Sequence, residues 1–109
     1  MRSLFKDVDL IITPTTGITA PEIEDGALDW GVTDYPKSGN AMKYAFLANF
    51  LGLPAVSCPI GTDGNGMPIG VQFQARWWNE ALLLKIAAIV EGVYATRLPP
   101  QVSFNVLER

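Results

Sequence analysis

The stretch Asn49-Phe-Leu-Gly-Leu-Pro-Ala-Val-Ser-Cys-Pro-Ile-Gly-Thr-Asp-Gly-Asn-Gly-Met-Pro-Ile-Gly-Val-Gln-Phe-Gln-Ala75 decides the fold. Gly52 suits the left-handed position that closes a helix, and Pro54 prevents the helix from continuing. Ala55 to Ile60 then reads as a buried strand, weakened near its end by Pro59. Gly61 to Gly66 is a turn, because glycine, aspartate and asparagine tolerate the positive φ that tight turns need. Ile69 to Ala75 is the returning strand, with Ile69, Val71 and Phe73 on one face and Gly70, Gln72 and Gln74 on the other. Two strands joined by so short a turn form an antiparallel hairpin.

Upstream, the helix that Gly52 closes is predicted over Ala41 to Leu51, capped by Ser38 or Asn40. Met42, Ala45, Phe46 and Asn49 recur at three-to-four spacing along it. Residues Thr15 to Ser38 carry Gly17, Pro21, Gly26, Gly31 and Pro36 without a steady period and read as a long loop with at most a short helical turn. Val8 to Thr13 is predicted as a strand buried on both faces and ended by Pro14. A helical connection to the next strand suits a parallel neighbour. Downstream, Asn79 can cap a helix from Glu80 to about Tyr94, with Leu82, Leu83, Ile86, Ile89, Val90 and Val93 as its apolar stripe. Pro99-Pro100 ends the pattern, and the remaining residues read as a tail. The expected class is α/β: part of a mixed sheet flanked by helices, an incomplete α/β/α sandwich. Three strands need more cover than two helices supply, so self-association or pairing with further polypeptide is expected.

Composition agrees. Of 109 residues, 49% are apolar and 17% charged, too apolar for disorder. The net charge of −3 with scattered basic residues argues against a nucleic-acid partner. The apolar run Ala81 to Val90 is too short to cross a bilayer. The N-terminus lacks the apolar core of a signal peptide. With no histidine and one cysteine, the chain holds neither a Ser-His-Asp site nor a thiolate metal cage. Cys58 reads as a buried core thiol. No cofactor or metal site is expected. Glu22, Glu24, Asp25 and Asp29 read as a solvated acidic loop, and Lys37 beside Ser38 as an exposed, protonated lysine rather than a base. Trp77-Trp78 reads as a strand-end cap with one ring packed and one partly exposed.

Four blocks now stand in order. Asp9-Leu-Ile-Ile-Thr-Pro-Thr-Thr16 resembles the D-hydrophobic-T-P-T strand of amidase-signature enzymes. Asn49 to Gly61 resembles their N-x-x-G-x-P-A-x-x-x-P-x-G segment, and Gly66 to Gln72 the G-x-P-x-G-x-Q strand that follows. Glu80 and Leu83 to Glu91 are similar to the closing helix. Within the family, Thr15 to Ile23 looks most like the plant-type fatty acid amide hydrolases. The resemblance covers about residues 5 to 94, leaving 95 to 109 as a tail, and implies that residues 1–109 are the C-terminal portion of one amidase domain.

Family members cut amide bonds with a Ser–cis-Ser–Lys triad, and the triad and a Gly/Ser-rich signature lie upstream of the part that this chain resembles. The serines here are Ser3, Ser38, Ser57 and Ser103, and none lies in such a run. The resemblance therefore carries over no catalytic residue. It implies an amide substrate only together with the missing N-terminal portion, and inactivity alone. It implies that Met42, Ala45, Phe46 and Asn49 line the acyl channel, with Thr15 and Thr16 as possible contacts at its mouth. Two other readings remain open: a binding or regulatory module derived from an amidase, and the tail of an amidotransferase A subunit. A homodimer is compatible with each.

Overall fold

A computed structural model describes residues 4–94. The expected tail, 95–109, lies outside the described residues. After a short 3-10 turn at Leu4–Lys6, the chain forms β1 (Leu10–Pro14), α1 (Ala27–Trp30), α2 (Tyr35–Met42), α3 (Ala45–Leu51), β2 (Ala55–Thr62), β3 (Pro68–Ala75) and α4 (Glu80–Val93). It is a small α/β fold in which helices flank a three-stranded sheet of order β1-β3-β2.

The hairpin forms as expected. β2 and β3 pair antiparallel from Ala55↔Gln74 to Thr62↔Pro68. One irregularity lies between Pro59 and Gly61, where Ile60 is the extra residue of a bulge. Asp63 closes the turn: its Oδ1 accepts from Asn65 N at 2.8 Å and Met67 N at 2.9 Å. Gly52 ends α3 at φ 63°, as its sequence context requires.

The expected parallel contact between β1 and β2 does not form. β3 lies between them, and β1 pairs antiparallel with it, Leu10↔Ala75 to Pro14↔Val71. All pairings in this sheet are therefore antiparallel. The reason is visible in the ladder. Thr15 N donates to Gly70 O at 2.9 Å and Ala75 N to Pro54 O at 3.1 Å. By strict alternation, residues 70, 72 and 74 of β3 bond to β1 and residues 71, 73 and 75 bond to β2. Ala55, Ser57 and Pro59 thus turn their backbone groups away from β3. That outer edge of β2 lacks an amide hydrogen at Pro59 and bulges at Ile60, whereas β3 offered β1 an unbroken edge.

β1 is also not buried on both faces. It is an edge strand, and Ile12 is 61% exposed. The core lies between α4 and one sheet face: Cys58, Phe73, Ala75 and Leu83 are buried, with Leu10, Val56, Val71, Ile86, Ala87 and Val90 packed around them. Cys58 is the buried free thiol that was expected.

The segment before β2 departs most from expectation. The long loop contains α1, and α2 begins at Tyr35 rather than Ala41. Its cap is Asp34, not Ser38 or Asn40: the Asp34 carboxylate accepts from Lys37 N at 2.9 Å, and Pro36 stands in the first turn, where its missing N–H costs nothing. The single helix expected over 41–51 is interrupted at Lys43–Tyr44, although both residues keep right-handed dihedrals. Asn79 does cap α4, but its side chain makes no capping hydrogen bond. Among the described residues no helix is long and apolar enough to cross a membrane.

Candidate functional site

The sheet face away from α4 is unusually polar. Gln72 and Gln74 of β3 lie on it, flanked by Thr13 and Ile11 on β1 and by Ser57 and Ala55 on β2. Helices reach over it. Gln72 Nε2 donates to Thr13 Oγ1 and to the Tyr44 carbonyl, each at 3.3 Å. Trp77 Nε1 donates to the Leu51 carbonyl at 2.9 Å and fastens the end of α3. Trp77 is partly buried and Trp78 is 92% exposed, the split expected of a strand-end pair. Gln74 is fully buried, and neither of its amide atoms has a partner.

Thr15 follows β1 and binds Ser57, their hydroxyl oxygens 2.5 Å apart. The two reach each other across β3 because position 70 is glycine. A Cβ there would stand 2.6 Å from Thr15 Oγ1 and 3.2 Å from Ser57 Oγ. Thr16 turns its hydroxyl to the Ile18 carbonyl at 2.7 Å. Thr16, Gly17, Ile18 and Thr19 then line an open cleft of about 210 Å³ with Tyr44 and Gly70.

The six residues singled out from sequence do not converge on one cavity. Thr16 lines the cleft beside Tyr44. Asn49 lines a second one of about 430 Å³, bounded by Leu53, Trp77, Trp78 and Glu80. Met42 and Phe46 are exposed, Phe46 to 63%, and Ala45 is half-buried. Thr15 is committed to Ser57. Sequence reasoning missed Gln72, Tyr44 and Gly17, which meet at the break between α2 and α3. The only signal was the motif position of Gln72; Gly17 lies far away in sequence.

Lys37 Nζ lies 2.6 Å from Glu24 and 3.3 Å from Asp34. The Glu24 carboxylate, followed by that of Asp34, holds the lysine protonated above its ordinary range. Lys37 is thus unfit to take a proton from Ser38. The Lys37 backbone amide is the main reason that Asp34 titrates below the usual carboxylate range. Asp63 titrates low chiefly through a hydrogen bond from the Thr19 side chain, aided by the Met67 and Asn65 amides. Among the described residues no group of three or more His, Cys, Asp or Glu side chains could hold a metal ion. The acidic loop is instead exposed, with Glu24 paired to Lys37.

Comparison with known proteins agrees with this architecture. The chain is 53% identical over 88 residues to a fatty acid amide hydrolase of Medicago truncatula, covering 81% of this chain and 14% of that protein. It is 44% identical over 105 residues to the Arabidopsis thaliana fatty acid amide hydrolase, covering 96% and 17% respectively. The solved structure of a 6-aminohexanoate cyclic dimer hydrolase superposes with a TM-score of 0.72 at 35% identity, covering 91% of this chain and 22% of that one. The chain therefore spans less than a quarter of the length of these relatives. The family model described as Amidase matches residues 1–84, so by sequence and by fold this chain belongs to the amidase family.

Proposed function

We propose that this chain is the C-terminal portion of an amide hydrolase that acts on fatty acid amides. In this reading the serines and lysine that cut the bond lie in polypeptide outside these residues, and the chain alone is inactive. The observation that carries the reading is the 53% identity to a plant fatty acid amide hydrolase over a segment that is only 14% of that protein. The uncovered surface supports it. Ile12 on β1, Phe46 and Phe50 on α3, and Leu84, Ile89 and Val93 on α4 are exposed apolar side chains, more than a small domain ordinarily leaves bare. The remaining amidase polypeptide would cover β1 and the outer face of α4. The stripe Met42, Ala45, Phe46 and Asn49 would form one wall of the acyl channel, with Thr15 and Thr16 at its mouth. Each methylene of an acyl chain buried there would contribute about 0.8 kcal/mol.

The test is a chimera. Residues 5–94 replace the matching segment of the Medicago enzyme, and hydrolysis of oleamide and of short-chain amides is measured. Turnover is expected from the chimera and none above buffer from the isolated chain. A folded chimera without activity on any amide would refute the assignment. Turnover by the isolated chain that a serine-directed reagent abolishes would refute the claim that it is inactive alone.

A further inference from the structure

The break between α2 and α3 contains neither proline nor glycine; its residues are Lys43 and Tyr44. Helices interrupted without such residues are bent by groups that insert into their hydrogen-bond ladder. Gly17 does so here, and Gln72 ties the junction to the sheet; both come from outside the helices. Gly17 N, in the loop after β1, donates to the Asn40 carbonyl at 3.1 Å. That leaves Lys43 N with a long bond of 3.4 Å to the same oxygen. Gln72 Nε2, on β3, takes the Tyr44 carbonyl at 3.3 Å while holding Thr13 Oγ1 on the other side. Gly17 must be glycine, since a Cβ at that position would collide with the Asn40 oxygen. Gln72 is buried, so its amide is held among fixed neighbours.

We propose that Gly17 and Gln72 are positioning residues that pin the α2–α3 junction to the sheet and thereby set where Met42, Ala45, Phe46 and Asn49 stand, and so which acyl lengths the enzyme prefers. The specificity half rests on the function proposed above; the pinning half does not. The junction divides the stripe, since Met42 ends α2 and Ala45 begins α3. Removing the Gln72 amide unties the Tyr44 carbonyl from the sheet and loosens the junction. The stripe then rotates relative to the sheet without loss of any side chain from it.

Two measurements test this. In the 109-residue chain, hydrogen exchange at the amides of residues 43–45 should quicken about tenfold in Gln72→Leu, the loss expected for one hydrogen bond. It should stay unchanged in Gln74→Leu, a control on the same strand and face. In the chimera, Gln72→Leu should raise KM for oleamide relative to a short-chain amide by roughly fourfold for each methylene uncovered, with kcat for the short amide preserved. Gly17→Ala should shift the same ratio in the same direction. Unchanged exchange in Gln72→Leu would overturn the pinning. An active chimera in which Gln72→Leu lowers kcat equally for long and short amides, with no change in the KM ratio, would overturn the specificity role. An unsubstituted chimera that is inactive would instead refute the parent reading, and the specificity half with it, while leaving the exchange result to judge the pinning.

Discussion

Substituting alanine for Gly70 tests the packing of the polar sheet face. The new Cβ would stand 2.6 Å from Thr15 Oγ1, 3.1 Å from Thr15 Cβ and 3.2 Å from Ser57 Oγ. The first distance is impossible, so the Thr15 hydroxyl must leave. It then loses Ser57, its partner at 2.5 Å. One such hydrogen bond is worth about 1 kcal/mol. Thr15 Cβ cannot swing away as freely, because Thr15 N is bonded to the Gly70 carbonyl at 2.9 Å. Overpacking against it costs roughly 1–3 kcal/mol. Alanine offsets about 0.5–1 kcal/mol of this by restricting the unfolded chain. The expected net is a loss of about 2 kcal/mol, read as a lower urea midpoint at unchanged slope. A double-mutant cycle isolates the contact. In a Thr15→Ala background the clash with Oγ1 is gone, and Gly70→Ala should cost about 1 kcal/mol less. If the two substitutions are additive, or if Gly70→Ala is neutral, the close approach of Thr15 and Ser57 across β3 is not what holds this face.

Gln74→Leu removes a buried amide with two unpartnered atoms; it should leave stability unchanged or raise it by about 1 kcal/mol in urea denaturation, and a loss above about 2 kcal/mol would mean the amide has a partner. Asp63 titrates lower in the folded chain than in the unfolded one, where its pKa is about 3.9, so its contribution is present above that value and disappears as pH falls through the lower folded pKa. Asp63→Asn should therefore be less stable than the parent at pH 7, and the gap should close toward pH 3; an equal gap at both pH values would rule out this linkage. With Ile12, Leu84, Ile89 and Val93 exposed, the isolated chain should self-associate in analytical ultracentrifugation. A compact monomer at all concentrations would count against the need for covering polypeptide.

Much of the fold was legible because its punctuation is local. Gly52 with Pro54 marks the end of α3, and the Gly/Asp/Asn turn marks the hairpin. Both depend on φ preferences of residues within a few positions. The cap at Asp34 was legible in the same way, as an acceptor two residues before Pro36, but the glycines and prolines around it masked the signal. The break at Lys43–Tyr44 was not legible, because Gly17 competes for the Asn40 carbonyl and Gln72 holds the Tyr44 carbonyl from distant parts of the chain. β1 was misjudged for a different reason. Its near-continuous apolar run reads as two buried faces, yet Ile12 is open in this structure. Hydrophobicity records what a strand must eventually meet, not whether the partner belongs to the same 109 residues. The candidate wall was read as one stripe on one helix, but it is divided between α2 and α3, and the junction that divides it does not show in periodicity.

Both free margins of the sheet carry a proline whose ring points where another chain would look for a donor. Pro14 does so at the end of β1 and Pro59 midway along β2, and Ile60 adds a kink just beyond. An arriving strand on the β2 side would therefore lose its hydrogen-bond partner after two residues and then its register. Copies of this chain that clump in a test tube should do so through greasy side chains, as amorphous and dye-negative aggregate, and not by stacking into ordered cross-β fibres.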